Sequence, residues 1–264
     1  MSRAFVKRKM RREDLLFHLA NEIVRRKNEN TPLRVAIDGR CASGKTVLAN
    51  ELASTITVTR PGVEILRPSV DGFHHSRERR YRQGEYSATG YYEDAFDYQT
   101  LIDDLLLPLS GTIFPILCRQ VSHDIRTDMA DLAAPASVSA NSILLFDGVF
   151  LFRRELNSYW DFRVLLDVDS DLSISRAITR DSGGTALAAV VKRKYELRYE
   201  PAWQIYVKEE DPESKADLIV DNRDIFHPRV TKPADLGAAQ SPGGVRDIRV
   251  APFVDLVWSA TSRL

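Results

Sequence analysis

The chain has only two cysteines in 264 residues, Cys41 and Cys118, and no apolar run approaching the length that crosses a bilayer, roughly 18 residues. Two thiols cannot build a disulfide framework, which excludes a small stapled scaffold and makes a reducing, cytoplasmic setting the expectation. Net charge is missing as well: Lys plus Arg and Asp plus Glu both number 37. Such a balance argues against a general nucleic-acid or membrane-surface binder, although local basic patches remain open. The basic start (Arg3, Lys7, Arg8, Lys9, Arg11, Arg12) is followed by no apolar h-region or small-residue cleavage site, so it does not read as a secretory signal, and Glu13 and Asp14 weigh against a transit peptide. No internal repeat and no Asn-Lys-x-Asp guanine motif occur, and the latter argues against a GTP-driven switch. His74 and His75 lack the spacing and the nearby Cys or carboxylate partners of a metal site, so zinc is not expected.

What is present is a complete G-x-x-x-x-G-K-[ST] loop, Gly39-Arg40-Cys41-Ala42-Ser43-Gly44-Lys45-Thr46, directly after the apolar run Leu33 to Ile37. A strand that passes through this loop into a helix (Thr46 to Thr55) aims backbone N–H groups and the positive helix end at one point, where a polyphosphate can sit. Gly39 and Gly44 let the backbone curl where a Cβ would obstruct turn or ligand. Lys45 is expected to reach the β- and γ-phosphates, and the Thr46 hydroxyl to bind the accompanying Mg2+. All eight residues are therefore candidate ATP-binding residues.

Around the loop, strands alternate with helices. Residues 12 to 27 carry Leu15, Leu16, Leu19, Ile23 and Val24 at helical spacing. Val63 to Val70 reads as a second strand, Tyr98 to Leu109 as a helix, and Thr112 to Leu117 with the residues around Val121 as a short hairpin. Ile143 to Phe146 and Phe162 to Val168 have the continuous apolar character of strands buried on both faces. A long helical region from Leu172 to about Tyr206 precedes a last strand, Leu218 to Val220. The pattern predicts an α/β fold: a doubly wound parallel sheet of about five strands, flanked by helices, with its ligand crevice beyond the strands' carboxyl ends. It divides into an amphipathic N-terminal helix on the core (1–32), a phosphate-loop domain (33–224, helical lid about 176–206) and a partly ordered C-terminal tail (225–264). Pro, Gly, Ala and Ser dominate the tail from Pro228 onward, and Val250, Phe253, Val254, Leu256, Val257 and Trp258 cluster near its end.

Two acids stand where such a sheet places chemistry. Asp71 follows the second strand in Ser69-Val70-Asp71-Gly72-Phe73-His74, and a carboxylate there can accept the proton of an attacking hydroxyl; a turn or helix-capping role is the plain alternative. Asp147, at the end of Ile143 to Phe146, occupies the place of an acid that holds Mg2+, directly or through water. Gly148 follows it where ATP-driven motors carry a water-polarising Glu, which favours transfer to an acceptor other than water. Arg176 and Arg180, and more loosely Arg193 and Arg198, share helix faces and are candidates for a basic lid over the reacting phosphates, against the default of a solvated face. Residues 74 to 92 interleave rings with cations (His74, Arg77, Arg80, Tyr81, Arg82, Tyr86, Tyr91 and neighbours), suggesting an acceptor-binding insertion rather than a long single-strand nucleic-acid track. Asp97 is a candidate helix cap.

In order, Gly39 to Thr46, Asp71-Gly72-Phe73-His74, Asp94-Ala95-Phe96-Asp97, His123 with Arg126, Phe146-Asp147-Gly148-Val149, Arg176 to Asp181, and Tyr199-Glu200-Pro201-Ala202 through to Asp221-Asn222 resemble the uridine kinase family. That family lies within the wider group that includes phosphoribulokinase and pantothenate kinase, and the resemblance spans about residues 33 to 224. It implies MgATP-dependent phosphorylation of a small-molecule hydroxyl, with uridine or cytidine yielding the 5'-monophosphate. Asp71, Lys45, Arg176 and Arg180 are then catalytic, Thr46 and Asp147 serve the metal, and Asp71, Phe73, His74, Tyr81, His123 and Arg126 serve the acceptor. Nucleic acid and membrane are not expected partners, and self-association stays open. Three positions depart from the family pattern. Asp147 replaces the usual Glu and is one methylene shorter, Cys118-Arg119-Gln120 lacks the pyrimidine-reading Tyr, and Ser182-Gly183-Gly184-Thr185 replaces the lid's Arg-Gly-Arg-Asp. Pantothenate, a sugar or another small alcohol is thus an alternative acceptor, and a nucleotide-binding protein without catalysis a further reading.

Overall fold

The computed structural model describes residues 9–181 and 185–234. The expectations for the basic residues 3 to 8, for the turn at residues 182 to 184 and for the apolar cluster of residues 250 to 258 lie outside the described residues.

A six-stranded sheet forms the centre, in the order β10 (Arg229–Lys232), β9 (Leu218–Asp221), β8 (Phe162–Asp167), β1 (Leu33–Gly39), β7 (Ser142–Asp147) and β2 (Glu64–Leu66). The five strands from β9 to β2 are parallel, and β10 adds an antiparallel edge. That edge strand gives the start of the partly ordered tail expected from residue 225 a place in the sheet; Val230 is buried against β9 through the period-2 alternation of Arg-Val-Thr-Lys.

Side chains alternate across the central strands and feed two cores. Val35, Ile37, Ile143, Leu145, Val164 and Leu166 face helices α1 (Arg12–Arg26) and α2 (Lys45–Thr59), meeting Leu15, Leu19, Ile23, Leu48, Leu52 and Ile56. Ala36, Leu144, Phe146 and Leu165 face the opposite way, into a ring-rich core with Phe73, Leu101, Leu105, Phe150 and Tyr206. All six residues of β7 are buried, the reason its middle, Ile143 to Phe146, is apolar without interruption. Helix α1 carries Glu13 and Asp14 in its first turn and Arg25 and Arg26 in its last, matching the helix dipole, and Arg12 reaches across to Glu51 of α2 at 2.6 Å.

Between α2 and β7 run the short helices α3 (Arg77–Tyr81), α4 (Ala88–Asp94) and α5 (Tyr98–Leu101). Here the structure departs from the sequence reading in three places. The strand expected over 63–70 pairs with β7 only at 64–66; Pro68 has no N–H to give a ladder, and after a single bridge from Ser69 to Asp147 the chain turns into a 3-10 turn, Val70–Phe73. The helix expected over 98–109 begins as α5, capped by Asp97 onto the Thr100 N–H at 3.0 Å, but widens into a π turn at Ile102–Leu106 before Pro108. The hairpin expected around Val121 is absent: β3 (Ile116–Cys118) pairs with β6 (Ala136–Val138), while β4 (His123–Asp124) and β5 (Met129–Ala130) form their own ribbon.

After β8 the chain runs through α6 (Ser170–Asp181), α7 (Thr185–Lys194), a π turn (Tyr195–Tyr199), α8 (Glu200–Glu210) and the short α9 (Pro212–Lys215) into β9. No helix among the described residues is long and apolar enough to cross a membrane.

Candidate active site

The phosphate loop begins at Gly39, whose φ of +152° and close approach to β8 both exclude a side chain: an added Cβ would lie 2.5 Å from the Leu166 carbonyl oxygen. Gly44, at φ +98°, would bring a Cβ to 2.9 Å from Asn222 Nδ2. The loop is braced from several sides. Asn222, at the end of β9, donates to the Ser43 carbonyl at 2.8 Å, Ser173 of α6 to the Cys41 carbonyl at 2.5 Å, and the Arg40 guanidinium pairs with Glu200 at 2.5 Å. Lys45 donates from Nζ to the Arg40 carbonyl at 2.8 Å, inside the curl of the loop. The Cys41 thiol is raised by burial and stays neutral; its sulfur lies 3.5 Å from the Tyr91 hydroxyl.

Thr46 and Asp147 meet: the Thr46 hydroxyl donates to Asp147 Oδ2 at 2.6 Å. The other carboxylate oxygen accepts from Arg67 Nη2 at 3.0 Å, and Arg67 also donates to Asn50 Oδ1 at 2.9 Å and to the Leu145 carbonyl. A buried carboxylate beside a hydroxyl, with oxygen donors only, suits Mg2+, which takes one or two protein oxygens and completes its shell with phosphate and water. Gly148 is sterically required, because a Cβ there would fall 2.6 Å from Val70 Cγ1 and 2.7 Å from Val70 Cβ. The missing Glu after Asp147 thus has a packing cause.

Asp71 sits in the 3-10 turn rather than at a strand end. The Ser69–Asp147 bridge and the turn nevertheless bring it to a cavity of about 780 Å3 that Lys45, Thr46 and Asp147 also line. The carboxylate is exposed to that space. His74 and Tyr81 line it as well; His74 Nδ1 is 2.9 Å from the Asp71 carbonyl oxygen, its ring packs at 4.5 Å on Phe96, and burial lowers its proton affinity. Arg176, Arg180, Leu187, Lys194, Tyr195 and Arg198, from the helical region expected to form the lid, line the cavity as well.

Several side chains singled out by sequence are engaged elsewhere. Phe73 is fully buried, 6.2 Å from the Phe146 ring, so it belongs to the core and not to an acceptor surface. His123 holds Asp128 at 3.0 Å, and Asp128 also accepts from the Arg77 N–H and from Arg80. His123 thereby fixes the β4–β5 turn and does not line the cavity of the phosphate loop. Arg126 extends into solvent at the edge of a neighbouring cavity of about 700 Å3. Arg176 does line the phosphate-loop cavity, but its guanidinium donates to the Asn222 and Arg223 carbonyls at 2.8 and 3.1 Å, clamping the end of β9 to the loop. Arg180 pairs with Asp181 at 2.6 Å on the rim. Arg198 is buried and donates to the carbonyls of Arg80, Gly84, Glu85 and Ser87, stapling the lid to the insertion, whereas Arg193 stacks on Tyr86.

Sequence reasoning gave no role to Arg67, Asn222 or Asp38. Arg67 carries no motif signal. Asn222 closes the Leu-Ile-Val-Asp-Asn run, and Asp38 is an acid inside an apolar strand one residue before the loop, a position where burial alone is a signal.

Comparison with known proteins bears on the same residues. The model of the family described as Phosphoribulokinase / Uridine kinase matches residues 35–225. The chain is 27% identical over 205 residues to Uridine-cytidine kinase B of Dictyostelium discoideum, covering 73% of this chain and 78% of that one. It is 27% identical to a uridine kinase of Schizosaccharomyces pombe, covering 70% of this chain but only 39% of that longer protein. Among solved structures, a possible uridine kinase from Bacillus stearothermophilus superposes with a TM-score of 0.60 at 26% identity, covering 78% of this chain and 97% of that one. A candidate fructose transport system kinase from Silicibacter sp. has a TM-score of 0.57 at 20% identity, covering 73% of this chain and 94% of that one, a likeness of fold alone.

Proposed function

Because this chain belongs to the Phosphoribulokinase / Uridine kinase family and is a phosphotransferase with a nucleotide-binding phosphate loop, we propose that it transfers the γ-phosphoryl group of ATP to the primary hydroxyl of a nucleoside, uridine or cytidine. The observation that carries this reading is the shared cavity: Lys45, the Thr46–Asp147 pair and the exposed carboxylate of Asp71 all open into it. The names of the relatives support the nucleoside.

In this reading Asp71 orients the acceptor hydroxyl toward the γ-phosphorus and accepts its proton as the new P–O bond forms and the bond to ADP breaks. Lys45 leaves the Arg40 carbonyl for the phosphate oxygens, and Arg180 turns from Asp181 toward them. Arg176 keeps the loop's far side in place. Bound magnesium would neutralise phosphate charge, and Thr46 and Asp147, whose side chains meet at 2.6 Å, are the residues that would hold it, directly or through water. The ring-lined lid keeps water from the phosphoryl group, and Gly148 leaves no base to activate water. The test is Asp71→Asn, assayed for ADP formation with uridine: a loss of at least a hundredfold in kcat with ATP affinity within about threefold is the expected result. Full activity of the variant on uridine would remove Asp71 from the mechanism.

One observation favours a second acceptor class. His123, the counterpart of a pyrimidine-reading side chain, is committed to Asp128, and the β3 segment carries no Tyr. Pantothenate, a sugar or another small alcohol would then occupy the same place. A panel of acceptors scored by ADP release separates the two.

A further inference from the structure

Asp38 is fully buried in β1, one residue before the phosphate loop, yet its carboxylate is the meeting point of three segments. Oδ1 accepts the Gly39 N–H at 2.7 Å, and Oδ2 accepts both the Leu151 N–H at 3.1 Å and the Tyr206 hydroxyl at 2.6 Å. The Tyr206 oxygen in turn accepts the Phe152 N–H at 2.9 Å. One carboxylate and one phenol therefore tie together the entry to the phosphate loop, the segment after Asp147, and α8, the last helix of the region expected to form the lid.

The phosphate loop and the segment after Asp147 line the cavity, and α8 reaches the loop through the Glu200–Arg40 pair. The segment after Asp147 passes through Phe150 at φ +65°, a left-handed conformation unusual for a bulky residue, which persists only where the surroundings hold it. The hydrogen bonds to Leu151 and Phe152 are those surroundings on the polar side. On the apolar side the Phe150 ring packs against Tyr91 at 5.5 Å and Tyr206 at 5.3 Å. Tyr91 then touches Tyr199 at 4.7 Å, in the π turn that lines the cavity. A buried acid costs free energy unless its bonds recover it, and here those bonds satisfy the Gly39 and Leu151 N–H groups directly and the Phe152 N–H through Tyr206.

We propose that Asp38 and Tyr206 are a positioning pair for the kinase reaction: by fixing the Gly39 and Leu151–Phe152 backbone against α8, they set the phosphate loop in register with the lid, and ATP binding depends on that register. Neither residue lines the phosphate-loop cavity; both act through backbone next to the residues that do. The proposal rests on the nucleotide-binding reading of the loop and is independent of which alcohol is the acceptor.

Tyr206→Phe is the test, because it keeps the ring and removes one hydrogen bond. Calorimetric titration with MgATP at 25 °C, on protein shown folded by circular dichroism, should give a dissociation constant raised fivefold or more. Amide exchange at Leu151 and Phe152 should accelerate at least tenfold in the same sample. Affinity within twofold of the parent, with faster amide exchange or a lower melting temperature, would reduce the pair to a structural buttress and overturn the proposal. Failure of the unmodified protein to bind MgATP at all would instead overturn the nucleotide-site reading on which it rests, a result distinguishable in the same titration. Asp38→Asn serves as a second variant: its amide keeps the shape but presents a donor to donors, and a weakening of ATP at least as large as that of Tyr206→Phe is expected.

Discussion

Replacing Gly148 by Ala adds one methyl group at the most crowded point between the two acids. Gly148 has an ordinary backbone conformation, so the cost is steric. The new Cβ would stand 2.6 Å from Val70 Cγ1, 2.7 Å from Val70 Cβ and 3.0 Å from Leu151 Cδ2, all far inside normal carbon contact. Val70 is β-branched and 2% exposed, so it has no free rotamer to retreat into. Overpacking of this kind costs about 1–3 kcal/mol, which in a protein of this size lowers the melting temperature by roughly 2–4 °C per kcal/mol. The displacement is also functional, because Val70 precedes Asp71 and Gly148 follows Asp147: relieving the clash pushes the two carboxylates apart. A misplacement near 1 Å can cost on the order of a hundredfold in rate. Gly148→Ala is therefore expected to melt several degrees lower and to lose kcat for ADP formation more than tenfold. Val70→Ala in the same chain should restore part of both, since it removes Cγ1 but leaves the Cβ contact. A Gly148→Ala protein with unchanged melting temperature and unchanged turnover would refute the steric account of this position.

Other consequences are as concrete. Arg67→Ala strips the buried Asp147 carboxylate of its cation and should destabilise the fold by roughly 2–3 kcal/mol in urea titration, less than a fully buried pair because Arg67 is partly solvated; a change under about 0.5 kcal/mol would show the pair to be incidental. Lys45→Ala removes a side chain that hydrogen-bonds the Arg40 carbonyl of its own loop, so turnover reduced at least a thousandfold in a protein that still melts cooperatively is expected; substantial turnover would detach the loop from catalysis. Burial raises Asp38 to about 6, opposed by the Tyr206 hydroxyl, the Gly39 N–H and the charge of Lys45. With its folded value above its unfolded value, the native state holds more protons between about pH 4 and 6, so this group's contribution to stability is present below pH 4 and declines as pH rises through 6, by on the order of 3 kcal/mol. Subtracting the Asp38→Asn stability curve from that of the parent should expose this slope, and a flat difference would contradict it.

The parts of the fold that sequence displayed are those governed by local periodicity and by one rigid loop. The uninterrupted apolar run of β7 and the alternating core faces of β1 follow from burial on both sides of a parallel sheet, and Gly39 to Thr46 encodes its own geometry because two of its positions accept only glycine. Asp97 likewise announced its cap. Tertiary pairings were not displayed. Ile116–Cys118 takes Ala136–Val138 as its partner across an intervening ribbon, a choice made by distant contacts rather than by the turn residues near Val121. Pro68 shortened a strand that periodicity alone extended to Val70, and the widened helical turn at Ile102–Leu106 has no sequence mark. At the site, the phosphate loop and Asp147 lie where the motif and the end of an apolar strand place them, whereas Asp71 reaches the same cavity from a turn that periodicity did not show. The commitments of Phe73 to the core and of His123 to Asp128 were not, since a ring or an imidazole in a loop reads the same whether it faces ligand or protein.

The most direct measurement is a product analysis by mass spectrometry after the full chain is incubated with MgATP and a pool of nucleosides, vitamins and sugars, beside its Asp71→Asn variant. The account predicts uridine or cytidine 5'-monophosphate together with ADP from the parent, and neither above background from the variant. Phosphorylation of a different alcohol would overturn the nucleoside assignment, and equal product from parent and variant would contradict the role of Asp71 in phosphoryl transfer.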